Sequence, residues 1–146
     1  MLIKESSLFK RRKFAVKEQR VDIALLAARI GIASLMLVHG MPKLIQLFSD
    51  EPVQFPAVLG MSAATSLTFA VLAEVFCSLL VLVGLATRIA VIPLIFTMLI
   101  AVFSYHSADP FAKQELGLHY ILVYLMLLLT GSGKYSLDFL LRKRAD

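Results

Sequence analysis

Residues 66–105 read SLTFAVLAEVFCSLLVLVGLATRIAVIPLIFTMLIAVFSY, a stretch whose only charged side chains are Glu74 and Arg88. A turn at Thr87 and Arg88 divides it into two apolar segments, 66–86 and 89–105. The outlying sequence supplies two more, at about 21–41 and 116–130. A helix needs roughly 20 apolar residues to cross a bilayer, with a usual range of about 17 to 25. The first two segments in chain order meet that length. The third and fourth reach it by drawing in flanking residues such as His106 and Glu115. Backbone groups in lipid must be satisfied internally, and these runs are too long and too unalternating for barrel strands. The expected fold is therefore all-α, an integral membrane up-and-down four-helix bundle with both termini in the cytoplasm.

Composition agrees. The 146 residues are 59% hydrophobic and 17% charged, with a mean hydropathy of +0.82. A soluble domain of this size would need more polar surface, so the lipid bilayer is the first partner. The net charge of +5 does not indicate nucleic acid, because the basic residues crowd the ends of apolar segments. Seven of the 15 Lys and Arg residues precede Val21. With Arg88, Lys134, Arg142, Lys143 and Arg144 they make twelve on one side, against Lys43 and Lys113 on the other. The positive-inside rule puts the twelve in the cytoplasm. The chain thus divides into a basic tail (1–20), a four-helix membrane domain (21–141) and a basic end (142–146). The first apolar segment is too long for a signal-peptide core and follows a long basic extension, so it reads as a retained helix.

Outside the spans, 44–65 mixes Leu47, Phe48, Phe55, Val58, Leu59 and Met61 with Asp50, Glu51, Pro52 and Pro56. It reads as an amphipathic segment in the outer interface or a strap folded over the bundle. Gly131-Ser132-Gly133 should stop the fourth helix, and Ser136 could cap a short amphipathic segment after it.

The informative residues are those that lipid should exclude. Arg29, Glu74 and His119 fall within spans, while His39, Lys43, Arg88, His106 and Glu115 lie near span ends. A charge at mid-bilayer costs about 2.5–3.5 kcal/mol on insertion scales, so it must face protein, find a partner or snorkel. Asp22, Arg29, Met36 and Lys43 recur every seven residues, with His39, Ala33 and Gly40 beside them, giving the first helix one polar, close-packing face. Glu74 shares a face with Ala70, Cys77, Ser78 and Val81, at a level between Arg29 and His39, either of which could be its partner. Glu115 and His119 are spaced i, i+4 and face one way.

Together His39, Lys43, Glu74, Glu115 and His119 describe a polar pocket opening to the outer face, with Tyr120 and His106 at its rim. One reading is ligand binding or proton handling, since His and a desolvated Glu both titrate near neutral pH. The other is a structural hydrogen-bond network fixing helix register. No two His share a helical ligand spacing, so no metal or haem site is expected. Cys77, the single cysteine, excludes an internal disulfide and reads as a packing residue. Gly131-Ser-Gly-Lys134 lacks the strand and spacing of a phosphate loop.

Five motifs carry a resemblance: Arg29-Ile-Gly31; His39-Gly40 followed by Lys43; Ala73-Glu74; Gly84-Leu-Ala-Thr87-Arg88; and Gly131-Ser-Gly-Lys-Tyr135-Ser136-Leu137-Asp138. In order and spacing this set resembles the DoxX family of small bacterial membrane proteins over roughly residues 22–138. Ser132 departs from the family pattern, where proline is common. The resemblance implies a four-helix bundle in the bacterial inner membrane, associated with redox systems and sometimes with soluble oxidoreductase partners. Arg29, His39, Lys43, Glu74 and Arg88 fall on the family's polar positions. The expected function is a redox-associated subunit binding a quinone or another small lipophilic molecule, with His39 or His119 on a carbonyl, Glu74 exchanging protons and Arg29 balancing charge. The alternatives are a non-enzymatic anchor for a soluble complex and a small transporter, the last requiring a homo-oligomer. An accessory subunit fits better than a stand-alone catalyst, because no complete catalytic constellation is present.

Overall fold

The computed structural model describes the backbone of residues 2–145 and the side chains of residues 16 and 18–144. Among these residues the only regular secondary structure is helix, without strands. The helices are α1 (Leu2–Leu47), α2 (Ala63–Val83), α3 (Thr87–Tyr105), α4 (Phe111–Thr130) and α5 (Leu137–Ala145). Four stretches are long and apolar enough to span a membrane: Glu18–Leu47 of α1 and the whole of α2, α3 and α4. Their outward faces carry large apolar side chains in the open, including Val38, Phe76, Phe103 and Leu122. A surface of that kind belongs against lipid.

α1 begins far earlier than the apolar pattern implies. Its 46 residues correspond to about 69 Å, more than twice the roughly 30 Å hydrocarbon core. The cause is local. No Gly or Pro precedes Gly31, and the basic stretch is rich in Lys, Arg, Glu and Gln, which favour helix. The tail is thus a helical continuation of the first span.

The remaining ends follow capping chemistry. Ser62 caps α2, its Oγ accepting from the Thr65 N–H at 3.2 Å. Gly84 closes α2 in the left-handed conformation (φ 72°), and the Leu85 N–H returns to the Leu80 carbonyl at 2.9 Å. α3 is capped from a distance: Asp138 accepts from the Ala86 N–H at 2.7 Å and the Thr87 N–H at 3.2 Å. Ser136 caps α5 as expected, accepting from the Phe139 N–H at 3.2 Å.

Residues 48–62 form no helix and fold back as a strap. The Val58 N–H donates to Ser66 Oγ at 3.2 Å, and Phe55 lies half-buried beneath Lys43. Both termini emerge at one end of the bundle, which we call the base. There the Lys134 N–H donates to Asp22 at 3.0 Å and Lys134 Nζ pairs with Glu18 at 3.0 Å. The opposite end, beneath the strap, is the mouth.

The core joins Ile32, Ala33 and Met36 of α1, Val81 of α2, Ala90, Val91, Leu94 and Met98 of α3, and Tyr120, Tyr124 and Leu127 of α4. The closest approach of α1 to α2 is at buried Gly40. A Cβ there would stand 2.8 Å from Val75 Cγ2 and 3.1 Å from Glu74 Cβ, whereas one on Gly31 would meet nothing within 4 Å. Gly40→Val should therefore cost about 1–3 kcal/mol by overpacking. Gly31→Ala should be neutral or stabilising by up to about 1 kcal/mol. Reversible unfolding in mixed micelles measures both. Equal stabilities for the two variants would mean that the helices do not meet at Gly40.

Candidate functional site

Glu74 sits in a π-helical turn of α2, Leu72–Cys77. Such turns spread one helical repeat over an extra residue and occur often at functional sites. This one turns Ala73 and Glu74 inward together, with Ala70, Ser78 and Val81 on the same buried side. The Glu74 side chain is 1% exposed. Lys43 Nζ of α1 donates to Glu74 Oε1 at 2.5 Å, and Glu74 Oε2 has no hydrogen-bond partner among the described residues. The pair is asymmetric, because the Lys43 side chain keeps 29% exposure towards the mouth. Its ammonium also stands 5.7 Å from the centre of the Phe55 ring.

One turn below Lys43, His39 presents its ring edge-on to Tyr120 of α4, centroids 6.0 Å apart at 84°. Tyr120 stacks in turn on Tyr124, also at 6.0 Å. The Tyr124 and Ser78 hydroxyls are buried beneath this layer with no hydrogen-bond partner among the described residues. Between α1, α2, α3 and α4 lies an open cavity of about 150 Å³, lined by His39, Lys43, Glu74, His106, Lys113 and Tyr120 and by Met36 and Met98, with His39 and Lys113 exposed. Gly117 opens α4 to α3 here, since a Cβ would strike Val102 Cγ2. A second cavity of about 360 Å³ shares Lys43, Glu74, Ala101 and His106 with the first. It runs between α2 and α3 under the strap and is mainly apolar, lined by Phe55, Pro56, Met61, Phe69, Ile100 and Tyr105. Glu74 and Lys43 thus form the common wall of a small polar chamber and a larger greasy one.

His106 terminates the second π-helical turn, Ala101–Tyr105, and is held by Asp109 through an Nδ1–Oδ2 contact of 2.6 Å. Gln114 Nε2 donates to the His106 carbonyl at 2.9 Å. The hydrogen bond from His106, assisted by the charge of Lys113, holds the Asp109 carboxyl below the usual carboxylate range. Asp109 and Lys113 were not among the residues singled out from sequence. The available signal was the His106-x-x-Asp109 spacing followed by Lys four residues on.

The other singled-out residues separate. Arg29 is fully buried but lies at the base, where its Nη2 donates to the Tyr135 carbonyl. Glu74 is therefore partnered by neither Arg29 nor His39 but by Lys43, one helical turn beyond His39. Gly84 makes room for the guanidinium of Arg29, and its absent Cβ would also stand 2.6 Å from Ser136 Cβ. Arg88 is at the base too, donating from Nη2 to the Leu129 carbonyl at 3.1 Å. Glu115 and His119 face one way, as expected, but that way is outward. Both are exposed, His119 Nδ1 donates to the Glu115 carbonyl at 2.8 Å, and neither lines either cavity.

Because the folded-state pKa of Asp109 is depressed, its contribution to holding His106 is present above the ordinary aspartate value of about 3.9 and is lost as pH falls through the folded value. Carbon-detected NMR of the carboxyl should place the Asp109 midpoint below that ordinary value. Asp109→Asn should perturb the His106 ring resonances while leaving those of His119 unchanged. An unshifted Asp109 midpoint would remove the His106 anchor.

With this geometry in place, comparison with known proteins is specific. The DoxX family model matches residues 24–107, more than half of the chain and including Arg29, His39, Lys43, Glu74 and Arg88. No curated protein and no solved structure matches the chain.

Proposed function

The chain belongs to the DoxX family, and from that membership and the Glu74 chambers we propose a redox-associated membrane subunit that binds a quinone or similar lipophilic ring compound. The observation that carries this reading is the buried carboxylate with one oxygen on Lys43 and the other unpartnered, set between a polar chamber and an apolar one. A cavity of about 150 Å³ is enough for one six-membered ring, as apolar cavities of that size bind benzene. The ring would occupy the polar chamber, with a carbonyl accepting from Lys43, His39 or His106. The hydrocarbon tail would lie in the chamber under the strap, open towards lipid.

Reduction of a quinone consumes protons together with electrons. Glu74 is placed to hold or pass the proton, and Lys43 to offset negative charge on the ring oxygen in a site of low dielectric. The electrons come from a soluble oxidoreductase partner, so this chain is an accessory subunit. Arg29, Glu115 and His119, outside the chambers, take no part in ligand contact. The distribution of basic residues supports an inner-membrane setting with both termini cytoplasmic.

Purified protein should quench or shift the absorbance of a short-tailed ubiquinone analogue on binding. Glu74→Gln, which keeps the shape, should weaken binding about tenfold or more through loss of a charged hydrogen-bonding group. Lys43→Met, which strands the buried Glu74 carboxylate, should destabilise the bundle by about 3–5 kcal/mol, and Glu74→Ala, which leaves only the part-exposed ammonium, by less. Failure of both wild-type protein and variants to bind any quinone analogue would end the proposal.

A second reading rests on α1, whose basic residues 10–20 continue the membrane helix well past the bilayer. That projection would dock a soluble partner. Deleting residues 1–18 should abolish partner recovery in a pulldown, and unchanged recovery would discard this role.

A further inference from the structure

The base of the bundle holds a cavity unconnected with Glu74. It has a volume of about 450 Å³ and lies between the α2–α3 turn, the Gly131–Lys134 loop and α5. Three cations line it, Arg88, Lys134 and Arg142, together with two carboxylates, Asp22 and Asp138. Counting charges alone gives a near balance, but the acids are already committed. Asp138 spends both oxygens on the Ala86 and Thr87 N–H groups. Asp22 accepts the Lys134 N–H and stands 3.7 Å from Lys134 Nζ, which Glu18 also holds.

Arg88 and Arg142 are left over. Neither forms an ion pair among the described residues. Arg88 uses one nitrogen on the Leu129 carbonyl, the other guanidinium N–H groups remaining available. Gly131, at φ 80°, lets the loop pass beside this guanidinium, since a Cβ there would come 3.3 Å from Arg88 Nε. Two arginines without an ion-pair partner among the described residues thus face one cavity with N–H donors to spare, and their planar forks suit phosphate oxygens.

The setting identifies the source of that anion. The cavity stands where α3 begins and α4 ends, at the bilayer boundary. Its surroundings are apolar and open: Ile89 is 70% exposed and Leu129 77%, with Phe139 and Leu140 of α5 exposed beside them. An amphipathic helix with an Arg142-Lys143-Arg144 end suits the headgroup layer. We propose that this basal cavity binds the phosphate of an anionic phospholipid between Arg88 and Arg142, its acyl chains lying against Ile89 and Leu129.

The full chain, delipidated in neutral detergent, is titrated with dioleoyl phosphatidylglycerol or dioleoyl phosphatidylcholine, and retained lipid is read by native mass spectrometry. Phosphatidylglycerol should be retained at least about tenfold more tightly than phosphatidylcholine. Arg142→Gln and Arg88→Gln should each lose about tenfold, the scale of one hydrogen bond to a charged group. The control K143Q/R144Q pair removes charge outside the cavity and should change retention little. Arg142 makes no bond to the bundle among the described residues, so its variant remains informative should Arg88→Gln misfold. Equal retention of the two lipids, or equal losses in control and cavity variants, would overturn the site. Displacement by millimolar inorganic phosphate would overturn the lipid as the source of the anion.

Discussion

A carboxylate in the middle of an apolar helix has to be answered by something, and the Lys43–Glu74 pair is the answer around which the upper half of this protein is arranged. The pair needs α1 close to α2, which the glycine at position 40 permits, because a side chain there would run into Val75 Cγ2 and crowd Glu74. It also needs Glu74 turned inward, which the π-helical turn at Leu72–Cys77 provides. The strap then places the Phe55 ring beneath the ammonium. Each of these features makes little sense alone. Together they hold one ion pair in a region where lipid would otherwise expel both ions.

The base solves the same problem differently. Arg29 forms no ion pair among the described residues; its guanidinium turns into the space left by Gly84 and donates to the carbonyl of Tyr135. The next residue, Ser136, caps α5, and Asp138 caps α3. Three of the motifs that support the DoxX resemblance, around Arg29, Gly84 and Tyr135, thus meet in one clasp. It fixes the α2–α3 turn to the segment after α4. Separating the two charges to opposite ends leaves Glu74 dependent on Lys43 and gives Arg29 a role in fastening the chain rather than balancing the chamber.

That separation also explains where a linear reading of the site held and where it did not. Of the expected pocket of His39, Lys43, Glu74, Glu115 and His119, with Tyr120 and His106 at its rim, the mouth cavity is lined by His39, Lys43, Glu74, His106 and Tyr120 but not by Glu115 or His119. Levels counted along the helices could not choose the partner of Glu74. A lysine four residues beyond His39 reaches as far as its flexible stem allows, and stem direction is not written in the spacing. Glu115 and His119 were correctly placed on one face of α4, but their shared face is the exposed one. Asp109, and Lys113 beyond its place in the charge count, carry no signal of a site in the sequence beyond their spacing from His106, because they lie between two apolar segments and act through His106.

Hydropathy and segment length by themselves determined four membrane-length helices, because the cost of unsatisfied backbone in hydrocarbon leaves little alternative. The turn residues likewise marked Gly131 and Ser136 as helix ends, since their chemistry is local. Tertiary structure alone decided which charge meets which, which faces look inward, and that Asp138 caps a helix beginning far earlier in the chain. Those outcomes depend on helix rotation and close approach. A single π-helical turn or an absent Cβ changes both without disturbing the apolar pattern.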